Sequence, residues 1–158
     1  NGSDHMGLDQ YLYARKYYSK YCKGKDKTDF AKLLAMSKAK KYLVPENVGH
    51  QSAYLVVKVG QWCKAHQVHQ WIVDNCQDSV DDCRETYVQR EDLEELLALC
   101  ESVANDHSKA KEELPFGWSS DTEDYSQHYY DDVDYTINLI KHVLTMSNEW
   151  EFYYSSSW

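Results

Sequence analysis

The familiar catalytic signatures are missing from this 158-residue sequence, and each absence removes a class of function. It has no G-x-G-x-x-G and no G-x-x-x-x-G-K-[ST], which excludes the common nucleotide-binding readings. It has no H-E-x-x-H and no G-x-S-x-G, which excludes the common zinc proteases and α/β-hydrolases. Enzymes with scattered catalytic residues stay open. No apolar run approaches the roughly 18 residues needed to cross a bilayer. Met6 is not followed by a basic and then apolar secretion signal, and Asn1 to His5 reads as a cloning remnant. Met6-Gly7 begins like a myristoylation signal, but Tyr11 stands where Ser or Thr is required. The expectation is a soluble, intracellular protein with no membrane association. The five cysteines are odd in number and contain no C-x-x-C. Reduced thiols follow, with Cys76 and Cys100 at apolar helix positions where an inert buried thiol is usual.

Charge is abundant and unevenly placed. The chain carries 17 Lys plus Arg against 26 Asp plus Glu, a net of −9. Met6 to Lys64 holds twelve basic and four acidic residues, a net of +8, whereas Ala65 to Trp158 holds five basic and 21 acidic ones, a net of −16. With 42% apolar residues and 14 tyrosines the composition is far from that of disordered acidic proteins. A chain of this size forms one core.

Residue patterning predicts the elements. Leu8 to Arg15 reads as a strand and Lys16 to Lys27 as a basic, Tyr-rich loop. A helix capped by Thr28 runs to about Lys41. Ala53 to Val59 reads as a buried strand, and Trp62 to Cys76 as an amphipathic helix, since Ala65, Val68, His69, Ile72, Val73 and Cys76 recur at helical spacing. Gln77 to Cys83 is an acidic loop and Arg84 to Val88 a third strand. A helix over Arg90 to Asn105 has acidic residues near its start, where the macrodipole favours them. Leu114 to Trp118 is a turn. A last helix spans Asp121 to Met146, and Trp150, Phe152 and Tyr154 alternate in a final strand. The fold class is α+β: a single domain over residues 6–158, with a small, mostly antiparallel sheet against three or four helices.

Chemistry has few places to reside. Cys63, His66 and His69 suggest zinc, but successive i, i+3 steps turn Cys63 and His69 about 120° apart on a helix, so no metal site is assigned. No cofactor is implied. His69 with Asp81 or Asp82, joined by Tyr87 or Cys83, has the ingredients of a general base and its orienting carboxylate; His69 and Asp82 are the catalytic candidates should the protein be an enzyme. The bland reading of His69 is a hydrogen-bonded core histidine. His128 among Tyr129, Tyr130, Asp131 and Asp132 admits the same two readings. Tyr11 to Lys25 mixes tyrosines with cations as a nucleic-acid surface does, although the acidic remainder disfavours nucleic acid as partner. The run Asp121 to Asp134 places Asp121, Glu123, Asp124, Asp131 and Asp134 close to Tyr130, a surface suited to a basic groove on another protein. Its bland reading is a solvated helix face with tyrosines packed into the core.

Several stretches together resemble a known group. Met6-Gly7-Leu8-Asp9-Gln10-Tyr11-Leu12-Tyr13-Ala14, Gly60-Gln61-Trp62 with Lys64-Ala65, Val68-His69-Gln70-Trp71-Ile72-Val73, Asn75, Asp81-Asp82-Cys83, Glu91 with Leu93 to Leu97, Leu114-Pro115 and Tyr153 to Trp158 look like a family of small proteins encoded by tailed bacteriophages and prophages. The likeness runs nearly end to end. It departs at Cys63 and His66, where the family pattern has Arg and Asn, so of the imagined zinc ligands only His69 belongs to the shared motif. The resemblance brings no activity with it. It implies a phage origin and a working life in the infected host cytoplasm, where proteins of this size often bind and inhibit a host protein, here possessing a basic surface.

Overall fold

A computed structural model describes residues 7–42, 51–117, 120 and 124–158. Contacts divide the chain into two compact units, one made of residues 1–14 and 58–158, the other of residues 15–57. The elements are β1 (Asp9–Ser19), α1 (Lys25–Ser37), β2 (Ser52–Cys63), α2 (His66–Cys76), β3 (Thr86–Val88), α3 (Arg90–Asn105), α4 (Ala110–Glu113), α5 (Gln127–Val143) and β4 (Trp150–Ser157), with short 3-10 turns at Ala39–Tyr42 and His107–Lys109. The four strands form an antiparallel sheet in the order β2-β1-β4-β3, and the α+β class holds.

In the larger unit the period-2 pattern of β1 turns Gln10, Leu12 and Ala14 inward. β4 does the same with Phe152, Tyr154 and Ser156. Its pairing with β3 sets Thr86 opposite Tyr154 and Val88 opposite Phe152, so both strands turn the same residues to the core. On α3, Leu93, Leu96, Cys100 and Val103 are buried, and α5 supplies Tyr129, Val133, Thr136, Leu139, Ile140 and Val143. The start of α3 is fixed by the Gln89 N–H donating to Asp92 Oδ2 at 2.9 Å.

The amphipathic helix predicted from Trp62 starts later and is less one-sided. β2 carries on through Trp62 and Cys63, and α2 begins at His66 with seven consecutive buried residues, Gln67 to Val73. Trp62 is held inside the core by donating from Nε1 to Thr136 Oγ1 at 2.9 Å. The start of α2 is secured by Gln10, whose side chain accepts from the Ala65 N–H at 2.9 Å and donates to the Ala65 carbonyl at 3.1 Å. A polar residue on the inner face of β1 thus satisfies the Ala65 N–H, which the helix start would otherwise bury unpaired, and adds a donor to a carbonyl that already accepts from the Val68 and His69 N–H groups.

In the smaller unit the expected loop after Arg15 is strand as far as Ser19. The helix begins at Lys25 behind Gly24, so Thr28 sits inside α1 rather than capping it, and it ends at Lys38 in the left-handed region. The stretch Tyr54 to Val57 was expected to be buried, yet all four residues are exposed. β-Branched, aromatic composition marks a strand but does not say which of its faces are covered. Lys16 reaches Asp26 at 3.1 Å, Arg15 lies over the Tyr54 ring and Tyr17 packs against it.

Candidate functional site

The predicted acidic run divides between places. Asp121 and Glu123 lie outside the described residues. Asp124 precedes α5, and Asp131 and Asp134 stand on its outer face; all three are exposed. The sequence placed the helix start at Asp121, which made part of this charge ordinary compensation of the macrodipole. In fact α5 begins at Gln127 with no acidic residue in its first turn. Asp131 and Asp134 fall in its second and third turns, beyond the reach of the dipole. As like charges three residues apart they repel one another, so the helix gains nothing from the pair. Asp131 accepts from Gln127 Nε2 at 2.8 Å. No Lys or Arg pairs with Asp124, Asp131 or Asp134 among the described residues. Tyr130, predicted on this surface, is half-buried and stacked on His107 with ring centroids 3.7 Å apart. The tyrosine that accompanies the carboxylates outward is Tyr135, 42% exposed, which the sequence reading did not single out.

A cleft of about 210 Å³ lies at the start of this helix, with Asp124, His128 and Asp132 on one side and Lys64 and His66 on the other. Lys64 occupies the left-handed region at φ 58° where β2 hands over to α2, and its N–H donates to the Leu8 carbonyl at 2.7 Å. Burial pushes the Asp132 carboxyl up to about 6; the neighbouring His128 opposes the shift and Asp131 adds to it. Because the folded-state value lies above the unfolded one, near 3.9, the folded chain binds this proton more tightly. Stability linked to Asp132 is therefore full below about pH 4 and is lost as pH rises through about 6. Asp132→Asn should raise stability at pH 7.5 by about 1 kcal/mol, discounted for partial exposure. The gain should vanish at pH 4. Thermal melts at the two pH values check this.

The His69 centre differs from the predicted one. His69 is fully buried, with Nδ1 2.7 Å from the Tyr154 hydroxyl and Nε2 2.9 Å from Asp81 Oδ1. The second contact is an ion-pair approach too oblique to be an aligned hydrogen bond. Asp81 Oδ1 also accepts from Trp158 Nε1 at 3.1 Å. Asp82, the predicted partner, instead faces solvent and is held by Arg84 at 2.8 and 2.9 Å, which keeps its carboxyl below the usual range. Burial pushes the Tyr154 hydroxyl up, so it meets the ring as a neutral phenol. The phenol can then donate to Nδ1, while Nε2 lies on the Asp81 side of the ring. Tyr154–His69–Asp81–Trp158 joins β4, α2 and the following loop in one polar chain. A substrate has no path to a fully enclosed imidazole, so the arrangement suits a histidine that organises a core.

Other expectations resolve simply. Cys63 is exposed at the end of β2 while His69 is inside, so those two are not on one helix. Among the described residues no three His, Cys, Asp or Glu side chains are placed to hold a metal ion. Cys100 is enclosed and burial pushes its thiol up to about 12, as it does for the half-buried Cys76. Among the described residues no helix is long and apolar enough to cross a membrane. No protein-family model, curated protein or solved structure matches the chain.

Proposed function

We propose that this chain is a bacteriophage-encoded accessory protein that works by binding, occupying a basic surface of a host protein, for instance a component of antiviral defence, and inhibiting it. The observation that carries the reading is the outer face of α5, where Asp131 and Asp134, with Asp124 ahead of them, are exposed and have no Lys or Arg partner among the described residues. Neither packing nor the helix dipole accounts for Asp131 and Asp134, and exposed carboxylates on a helix that also exposes Tyr135 suit a surface that meets Lys and Arg. The resemblance of the sequence to phage proteins supports the host setting.

A second reading has one observation in its favour. The unit of residues 15–57 carries ten Lys and Arg against Asp26, Asp29 and Glu46, and exposes Tyr17, Tyr21, Tyr42 and Tyr54. Cations with exposed aromatic rings are what single-stranded nucleic acid binds.

One capture experiment separates the two. The immobilised protein, incubated with bacterial lysate with and without nuclease, should retain a host protein in stoichiometric amount in both cases. Raising salt should release it, because exposed charge pairs are screened within about 10 Å at 0.1 M. Retention that depends on intact nucleic acid favours the second reading and counts against the first.

A further inference from the structure

A second cleft, of about 170 Å³, opens between α2 and the end of α4, away from the carboxylates discussed above. Its walls include Gln67, Gln70, Trp71, Asp74 and Asn75 from α2, and Glu113. That volume suits one side chain, since sites for drug-sized ligands run to roughly 300 Å³ and more.

The hydrogen bonds of this wall are one-sided. Gln67 Nε2 donates to the Tyr129 carbonyl at 3.1 Å, Gln70 Nε2 to Asp74 Oδ1 at 3.0 Å and Asn75 Nδ2 to the Trp71 carbonyl at 2.8 Å. Each partner can only accept, which fixes the orientation of all three amides. One N–H of each amide is thereby used, and among the described residues none of the three side-chain oxygens accepts a hydrogen bond. Gln67 is 1% exposed, and its Oε1 is buried without a donor. Asp74 and Glu113, the latter accepting from Ser102 Oγ through Oε2, each keep one carboxylate oxygen without a donor. A buried acceptor left without a partner costs about 1–3 kcal/mol, so a donor supplied from outside is favoured at Gln67.

We infer that this cleft receives the guanidinium end of an arginine side chain carried by another polypeptide. A guanidinium brings five N–H donors in a planar fork and no acceptor, which complements a wall of oxygens. Two carboxylates supply the opposite charge, and Trp71, a core residue that lines the cleft, sets an aromatic side chain beside them. An ammonium has the charge but neither the fork nor the plane. The inference stands apart from the acidic face of α5 and holds or fails without it.

The test is an NMR titration of the isotopically labelled full chain, reading the side-chain amides of Gln67, Gln70 and Asn75 and the Trp71 indole. The probes are Nα-acetyl-arginine amide, its uncharged isostere Nα-acetyl-citrulline amide, Nα-acetyl-lysine amide, and free arginine. Capped arginine should shift these resonances saturably at millimolar concentration, with citrulline inert, lysine several-fold weaker, and free arginine weaker because its carboxylate meets Asp74 and Glu113. The double variant Asp74→Asn with Glu113→Gln, whose backbone spectrum should overlay the parent's, should bind at least about fivefold more weakly, matching the loss of two charge-assisted contacts. No saturable shift, an equal response to citrulline or to lysine, tighter binding of free arginine, or an unchanged affinity in the double variant would each overturn the proposal.

Discussion

Replacing His69 with leucine should lower the free energy of unfolding by about 2–4 kcal/mol, because two buried polar groups lose a neighbour and each unsatisfied one costs about 1–3 kcal/mol. Leucine fills much of the imidazole's space, so the loss comes from the groups left behind. The Asp81 carboxylate, with its side chain 3% exposed, would keep only the Trp158 indole, and the Tyr154 hydroxyl would lose its contact at 2.7 Å in a fully buried position. For a chain of this length the melting temperature should fall by roughly 10 °C. Asp82→Asn, which touches only an exposed pair with Arg84, should change stability by less than about 1 kcal/mol. An unchanged melt for His69→Leu would remove the structural role assigned to this histidine.

Gly117→Ala should cost about 2–4 kcal/mol, for two reasons that add. Gly117 has φ +76°, a region that a residue with a Cβ enters only under strain, and a Cβ there would overlap Cγ, Cδ and Oε1 of Gln70. Gln70 is 7% exposed and bonded to Asp74, so it has little freedom to move aside. Gly24 provides the comparison: its φ is +60° but nothing lies within 4 Å of the added atom. Gly24→Ala should therefore show only the backbone cost, about 1 kcal/mol. Chemical denaturation of both variants separates strain from overlap, and equal losses would contradict the packing described around Gln70.

How far the sequence could be read depended on whether a pattern was local. Helical spacing from about Arg90 to Asn105 locates α3, because a clear apolar stripe and an acidic start mark both its face and its beginning. The alternation of Trp150, Phe152 and Tyr154 marks β4 and already turns Tyr154 inward. α2 was harder: seven consecutive buried residues leave no polar face, and polar Gln67, His69 and Gln70 are inside because partners distant in sequence satisfy them. The choice between Asp81 and Asp82 was not legible, since adjacent residues in a loop have no period to tell which turns inward. The loop around them holds Asp78, Ser79 and Cys83 at positive φ, an irregular path that only the folded chain reveals. Acidic character around Asp124 to Asp134 was visible, but its meaning depended on where α5 begins, six residues later than the stripe suggested. The acceptor-lined cleft beside α2 left no sequence signal, since it arises from which ends of three amides are already occupied.

The central claim is that the carboxylates of α5 engage a basic partner surface. It is tested most directly by titrating the captured host protein, at low and at moderate salt, with the parent chain and with a variant carrying Asp124→Lys, Asp131→Lys and Asp134→Lys together. All three positions are exposed, so the melting temperature should stay close to the parent's. The account predicts that the variant binds at least about tenfold more weakly at low salt, a difference of roughly 1.4 kcal/mol or more, and that the gap narrows as salt rises. A variant that folds as the parent does and binds the partner with the parent's affinity at both salt concentrations would contradict it.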